Sequence, residues 1–260
     1  MRELPTIVFL FLLLLGACDQ KADSNPAAEG FNAAASDPAA IDLADQVMVS
    51  MGGRKAWDDT KVIAWSFFGK RHLIWDKHTG DVRITSPGDS TIYLYNIFDD
   101  TGQVMVKDTV IEDPTNKQEL LKKARRFWIN DSYWLVMPFK LKDSGVTLAH
   151  LGEGKMKDEK SAHILQLSFE NVGVTPNNRY HVWIDKADHL IKQWAFYREL
   201  DQEDPNYIRP WDNYQKYGDI LLSADRSDDG GPKDVRVLES IDPTVFTDWK
   251  EPNIVTESSI

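Results

Sequence analysis

The chain has 260 residues and a formal net charge of −11, from 30 lysines and arginines against 41 aspartates and glutamates. Its acidic excess argues against a nucleic-acid-binding protein, which needs a basic surface to neutralise phosphates. Its apolar content, with 9 tryptophans, 8 tyrosines and 11 phenylalanines, excludes an intrinsically disordered chain. The single cysteine, Cys18, excludes an intramolecular disulfide and a zinc site built from several thiolates.

The N-terminus reads as a secretory signal. Residues 7–15 form an uninterrupted apolar run that is too short to span a bilayer and fits the apolar region of a signal peptide. The run ends in Leu15, Gly16 and Ala17, directly before Cys18. This tetrapeptide resembles the lipobox of bacterial lipoproteins, in which the peptidase recognises the small residues and the cysteine receives the acyl chains. The alternative is an ordinary cleaved signal followed by a chance cysteine.

Composition divides the chain into four segments. Small and polar residues dominate from Asp19 to Ala40, with Phe31 the only large apolar side chain, which is typical of a tether. We therefore predict a signal peptide (1–17), a lipidated cysteine with a flexible tether (18–40), a single β-rich domain (41–242) and a loosely attached C-terminal tail (243–260). The predicted signal peptide and lipidated cysteine together indicate a lipid-anchored protein of the cell envelope. Whether it faces the periplasm from the inner or the outer membrane, or lies at the cell surface, stays open.

Two helices and a series of strands are predicted along the domain. Pro38 follows the capping residue Asp37, and apolar residues then recur at helical spacing until Gly52 and Gly53. Residues 62–68 are apolar on both faces, so both faces of that strand need a cover.

Further strands follow in pairs. The segments 73–75 and 82–84 flank a turn and predict a hairpin, and 91–98 is expected to pair with 104–106. A later hairpin spans 179–197, with a two-residue turn that sets Val182 opposite Ile191.

The second main helix begins at the capping residue Asp113 and Pro114. Leu120, Leu121, Ala124, Phe127 and Trp128 form its apolar stripe, while five lysines and arginines make it basic within an acidic chain. A solvated helix face explains these cations, and so does a contact with an anion or a lipid headgroup.

Motifs of catalysis are not found in the sequence. It contains no phosphate-binding loop, no G-x-S-x-G and no H-E-x-x-H. His181 and His189 flank the late hairpin, but two partly exposed histidines are the more ordinary interpretation than a metal pair. We therefore predict no enzyme activity, no catalytic residue, no metal and no cofactor.

Several segments are similar to the LolA/LolB-like carriers of outer-membrane lipoproteins. The hairpin formed by 180–185 and 189–194 resembles the repeated hairpin of that group, and 51–53 with 134–141 also resemble an uncharacterised family of bacterial lipoproteins. The resemblance implies a mainly β, α+β fold, an open, curved antiparallel half-barrel lidded by helices. It also implies a concave apolar face that binds acyl chains without catalysis.

The functional prediction is a membrane-anchored protein that binds a lipid or the acyl chains of a lipoprotein. The aromatic residues expected to line the concave face are Trp65, Phe67, Tyr93, Tyr95, Trp183 and Trp194. One alternative is a structural or interaction lipoprotein whose core is filled by its own side chains, and another is an envelope hydrolase. The expected contacts are the membrane, through the N-terminal acyl chains, and the hydrophobic ligand, with no nucleic acid; a protein partner stays open.

Overall fold

The computed structural model describes residues 25–170, 177–252 and 254. The predicted signal peptide and Cys18 lie outside the described residues. The helices within these ranges are α1 (Pro38–Ser50), α2 (Gly53–Asp59) and α3 (Pro114–Val136), with short 3-10 turns at Ala33–Ala35, Pro87–Asp89, Met137–Lys140 and Pro243–Phe246. The strands are β1 (Val62–Phe67), β2 (Arg71–Asp76), β3 (Asp81–Ser86), β4 (Thr91–Asn96), β5 (Gly102–Val106), β6 (Thr109–Val110), β7 (Val146–Lys155), β8 (Ser161–Phe169), β9 (Arg179–Asp185), β10 (Ile191–Tyr197), β11 (Tyr207–Pro210), β12 (Tyr214–Tyr217), β13 (Ile220–Ser223) and β14 (Lys233–Leu238).

The strands form two main sheets and one small hairpin, all antiparallel in the described ranges. The large sheet has seven strands in the order β14-β1-β2-β3-β4-β5-β6, and the smaller one has five in the order β11-β10-β9-β8-β7. Strands β12 and β13 pair with each other. Neither strand order closes on itself, so the predicted fold class is confirmed: an open antiparallel α+β architecture covered by a helix.

Helix α3 begins where the sequence predicts. The Asp113 carboxylate accepts a hydrogen bond from the backbone N–H of Asn116 at 2.8 Å, and Pro114 occupies the first helical position. The helix has 23 residues and is therefore about 34 Å long. It packs against β3, β4 and β5 of the large sheet and reaches β13 at its far end.

Side chains of the large sheet alternate between an inner face and an outer face, and each face carries an apolar cluster. The inner face joins the main hydrophobic core, against which side chains of α3 pack, and carries Ile63, Trp65, Phe67, Leu73, Trp75, Val82, Ile84, Tyr93, Tyr95 and Val104. The outer face carries a second apolar cluster, which includes Val62, Ala64 and Ile74. This double cover explains why β1 is apolar on both sides.

The segment before α1 is held against the domain, although the sequence predicts a flexible tether up to residue 40. Ala28 N–H donates to the carbonyl of Lys142 at 2.9 Å, and Asn32 N–H donates to that of Val146 at 3.0 Å. Phe31 packs against the main core. Backbone pairing with the turn before β7 therefore orders residues 25–37, which local composition alone does not reveal.

The C-terminal segment, residues 243–252, is likewise attached more firmly than the predicted tail. Val245 and Phe246 belong to the outer apolar cluster of the large sheet. Arg83, only 1% exposed, donates from its guanidinium to the carbonyls of Val245, Asp248, Trp249 and Lys250 at 2.6–3.1 Å. A strand arginine on the outer face thus fixes the course of this segment through its backbone.

The hairpin of β9 and β10 differs from the predicted register. Val182 lies opposite Trp194, and Ile184 lies opposite Ile191, with a bulge between Ile191 and Gln193. The backbone of Asp185 pairs with that of Leu190, so the turn comprises residues 186–189 and is longer than two residues. Within it, His189 has a positive φ of 56° and donates its backbone N–H to the carbonyl of Asp185. Each extra turn residue shifts which residues face each other across the hairpin.

Candidate ligand-binding face and its helical cover

The candidate site is the inner face of the large sheet together with the helix that covers it. Aromatic rings of α3 meet aromatic rings of the sheet edge-on: Trp128 lies 5.4 Å from Trp75 between ring centroids, and Phe127 lies 6.0 Å from Tyr93. Such edge-to-face pairs add about 0.5–1.5 kcal/mol each beyond the apolar area they bury. The cover is therefore held by a small number of discrete aromatic contacts.

Of the predicted ligand residues, the structure brings five into one core. Trp65, Phe67, Tyr93, Tyr95 and Trp194 are each at most 6% exposed and belong to the main cluster. Four of them lie on the inner face of the large sheet. Trp194 comes from the smaller sheet and packs edge-on against Trp134 of α3 at 4.8 Å.

Trp183 lies apart from the other predicted residues. It is 8% exposed and belongs to a separate small cluster with Met156, Ala162, Ala195 and Tyr197. Neighbouring residues of a strand point to opposite faces, and its neighbours Val182 and Ile184 are the ones that join the main core. The structure thus places Trp183 on the opposite face of the smaller sheet.

One buried ion pair fastens α3 to the sheet. Arg71, at the start of β2, donates to both carboxylate oxygens of Asp131, with Nε–Oδ2 at 2.5 Å and Nη2–Oδ1 at 2.8 Å. The Asp131 side chain is fully buried and that of Arg71 is 13% exposed. The Arg71 guanidinium also lies 4.0 Å from the ring centroid of Phe127. We call this arrangement of Arg71 and Asp131 the latch.

Burial governs the protonation of the latch carboxylate. Desolvation raises the pKa of Asp131 above its ordinary value, while hydrogen bonds from Arg71 and Asn130 act in the opposite direction. The carboxylate therefore depends on its partners to remain charged in the core. Sequence reasoning missed this residue, although Asp131 falls at helical spacing between Trp128 and Leu135 on the apolar side of α3, where a carboxylate needs a partner.

Several indole N–H groups in this interior lack a hydrogen-bond partner among the described residues. They belong to Trp65, Trp75, Trp128 and Trp194. A buried donor left unpaired costs about 1–3 kcal/mol. The interior therefore contains many aromatic side chains, and some of their N–H donors have no acceptor among the described residues.

A cleft opens at the seam between α3 and the β4–β5 hairpin. We call it the seam cleft; its volume is about 290 Å³, and its lining comprises Tyr95, Asp100, Pro114, Lys117, Gln118, Leu121, Lys122 and Arg125. Its floor is continuous with the main core, because Tyr95 belongs to that core and Leu121 packs against it. The Tyr95 hydroxyl and the Arg125 guanidinium both donate to Asp100.

All six histidines lie within the described residues. In the described ranges, no three or more His, Cys, Asp or Glu side chains are grouped so that they hold a metal ion. His181 instead contacts the Tyr197 hydroxyl at 3.1 Å and Gln166 at 3.3 Å, and burial lowers its pKa to about 4. His150 and His163 lie with their ring centroids 5.4 Å apart.

No helix within the described residues combines the length and the apolar character that crossing a bilayer requires. The residues of the predicted lipobox, Leu15, Gly16, Ala17 and Cys18, lie outside those residues. Lipid anchoring consequently stays a prediction from the sequence.

Comparisons with known proteins give likenesses at low identity. No protein-family model matches the sequence, and no curated protein matches it. Among solved structures, a DUF1329 family protein from Desulfovibrio piger has a TM-score of 0.43 and 15% identity, over 80% of this chain and 95% of that one. A structure described as an outer membrane lipoprotein-sorting protein domain, from Vibrio parahaemolyticus, has a TM-score of 0.39 and 12% identity, over 80% of this chain and 96% of that one.

A third structure, of MucB, has a TM-score of 0.25 and 12% identity, over 72% of this chain and 66% of that one. None of these three likenesses reaches a TM-score of 0.5. At such identities, function has to be argued from the residues of this chain.

Proposed function

We propose that this chain is a non-enzymatic lipoprotein of the bacterial cell envelope that binds a lipid, or the acyl chains of a lipoprotein, between α3 and the inner face of the large sheet. The seam cleft carries the proposal. It offers an entrance with an apolar floor at the junction of helix and sheet, and Tyr95 links that floor to the aromatic core.

Binding of a long acyl chain requires α3 to move away from the sheet, because the inner-face rings are buried under it. Each buried methylene stabilises the complex by about 0.8 kcal/mol, so a twelve-carbon chain contributes up to about 10 kcal/mol. That gain competes with the aromatic contacts of α3 and with the latch. The strength of the latch therefore sets the free-energy cost of separating α3 from the inner face. The bound acyl chain replaces the aromatic contacts that α3 loses when it moves away from the sheet.

Anchoring by acyl chains on Cys18 completes the proposal. The motivation is the apolar run followed by Leu15, Gly16, Ala17 and Cys18. Stable anchoring needs more than one acyl chain, as a lipidated N-terminal cysteine provides. Cells that make the chain and are fed a radiolabelled fatty acid are expected to label the wild type but not Cys18→Ser; equal labelling of both would contradict the assignment.

Ligand binding is tested on the chain purified from cells without added lipid. Native mass spectrometry is expected to show a one-to-one complex with a lipid-sized mass. Titration with a neutral probe, the methyl ester of a dansyl-labelled undecanoic acid, is expected to saturate at one per chain. An apo mass together with no saturable fluorescence change would contradict the proposal.

A structural or interaction role with a self-filled core is the second candidate. The observation that favours it is the burial of the predicted lining, since Trp65, Phe67, Tyr93, Tyr95, Trp183 and Trp194 are each at most 8% exposed. This role predicts that the neutral probe does not bind even when the latch is broken, whereas the proposed function predicts tighter binding in that case.

A further inference from the structure

The seam cleft differs in charge from the rest of the chain. The whole chain carries −11, yet α3 carries five cations, Lys117, Lys122, Lys123, Arg125 and Arg126, against Glu119 and Asp131. Asp131 is buried in the latch, so it does not offset the cations at the surface. Three of the five line the cleft, where Asp100 is the one carboxylate among the lining residues.

The ion pairs around the cleft do not neutralise all of its lysine and arginine side chains. Arg125 is bound to Asp100, which also accepts the Tyr95 hydroxyl. Lys122 pairs with Glu119 at 2.8 Å, but both side chains are more than half exposed, so water screens that pair. Lys117 forms no ion pair with any residue in the described parts of the chain. The rim therefore offers Lys117 and Lys122 to an incoming anion.

The floor of the cleft has the opposite character. Tyr95, which is 4% exposed, and the half-buried Leu121 line it next to the main core, whereas Lys122 and Arg125 are exposed. The cleft volume of about 290 Å³ lies just below the usual range of ligand pockets, about 300–1,000 Å³. It suits a headgroup and the first carbons of a chain, while the remainder of the chain has to pass beneath α3.

We propose that the seam cleft binds the anionic end of the ligand, a carboxylate or phosphate attached to an acyl chain, with Lys117 and Lys122 facing the anion and Leu121 and Tyr95 facing the first carbons. This inference rests on the proposed function and names the class of its ligand. A cationic rim above an apolar floor recognises an amphiphile with one negative end, and it fits a neutral or zwitterionic amphiphile less well.

The test compares two probes with the same chain, a dansyl-labelled undecanoic acid and its methyl ester, on the full chain. The acid is expected to bind about tenfold more tightly than the ester. The double variant Lys117→Gln/Lys122→Gln is expected to weaken acid binding about five- to tenfold and to leave ester binding unchanged, since an exposed cation contributes about two- to fivefold. Raising the salt concentration is expected to weaken the acid alone.

A matched control removes the same charge elsewhere. Lys160→Gln/Lys216→Gln changes two exposed lysines that do not line the cleft, and it is expected to leave both affinities unchanged. Equal affinity of acid and ester overturns the inference and leaves the proposed function intact. An equal loss in the control variant also overturns it, because the effect is then a long-range one of net charge.

Two further outcomes are decisive. Displacement of the acid probe by millimolar inorganic phosphate alone overturns the inference, because the site then takes a free anion and not an acylated one. Binding of neither probe contradicts the proposed function itself, and the inference falls with it.

Discussion

Breaking the latch, the ion pair of Arg71 and Asp131, shows whether α3 is a movable or a fixed cover of the inner face. Asp131→Asn removes the charge that pairs with Arg71 and keeps the shape of the side chain. Removing one member of a buried ion pair costs about 3–5 kcal/mol. Arg71 keeps 13% of its side-chain surface in solvent and still faces Phe127, so we expect a loss near the lower limit, about 3 kcal/mol.

The same loss has a predicted consequence for ligand affinity. If the ligand binds only after α3 leaves the sheet, the apparent affinity is limited by the population of the open form. A latch weakened by about 3 kcal/mol raises that population up to about a hundredfold. Asp131→Asn is therefore expected to unfold at lower urea concentration and yet bind the neutral ester probe more tightly, by one to two orders of magnitude.

Two variants make the measurement decisive. Arg71→Met/Asp131→Leu replaces the pair with apolar side chains and is expected to restore stability and to return probe affinity towards that of the wild type. Arg83→Met loses four hydrogen bonds on the outer face, away from α3, and controls for general destabilisation. Equal tightening of probe binding in Arg83→Met, or a stability loss below about 0.5 kcal/mol in Asp131→Asn, would contradict the role of the latch.

Three further predictions concern the scaffold. Arg83→Met is expected to expose residues 243–252 to limited proteolysis while the sheets stay protected; an unchanged digestion pattern would contradict the role of Arg83. Gly102→Ala is expected to destabilise by about 1–3 kcal/mol in urea titrations, because its Cβ would lie 2.2 Å from the Leu94 carbonyl oxygen, whereas Gly88→Ala, with no atom within 4 Å, serves as a near-neutral control. The folded chain binds the His181 proton only near pH 4 and the unfolded chain near 6.5, so the free energy of unfolding is expected to fall between pH 6.5 and 4. His181→Gln is expected to remove about 1 kcal/mol of that fall, since the side chain is partly exposed, and an unchanged pH slope would argue against it.

The sequence predicts most elements because their signals are local. The start of α3 follows from Asp113 and Pro114, and the bounds of β1 follow from its apolar run and flanking turns. The hairpins β2–β3 and β4–β5 follow from alternating strands around turn residues. Each of these features depends on residues that are neighbours in the chain.

The features that sequence reasoning missed depend on distant contacts. The Arg71–Asp131 pair joins residues 60 positions apart, and the contacts of Arg83 with the C-terminal backbone span more than 160. The register of β9 and β10 depends on a bulge and on the positive φ of His189, neither of which the alternation of apolar residues reports. For the aromatic residues, the sequence shows that they are numerous, but only the fold shows that α3 packs against Phe67, Trp75, Tyr93 and Trp194.

Photo-cross-linking shows directly where a bound acyl chain lies on the protein. A fatty acid carrying a photoreactive diazirine at its distal end is bound, irradiated and located by peptide mass spectrometry. We expect cross-links to inner-face residues, among them Trp65, Trp75 and Tyr93, and to the sheet-facing side of α3, with a higher yield in Asp131→Asn. Cross-links confined to the outer-face cluster around Val62 and Ile74, or to the cluster around Trp183, would contradict it.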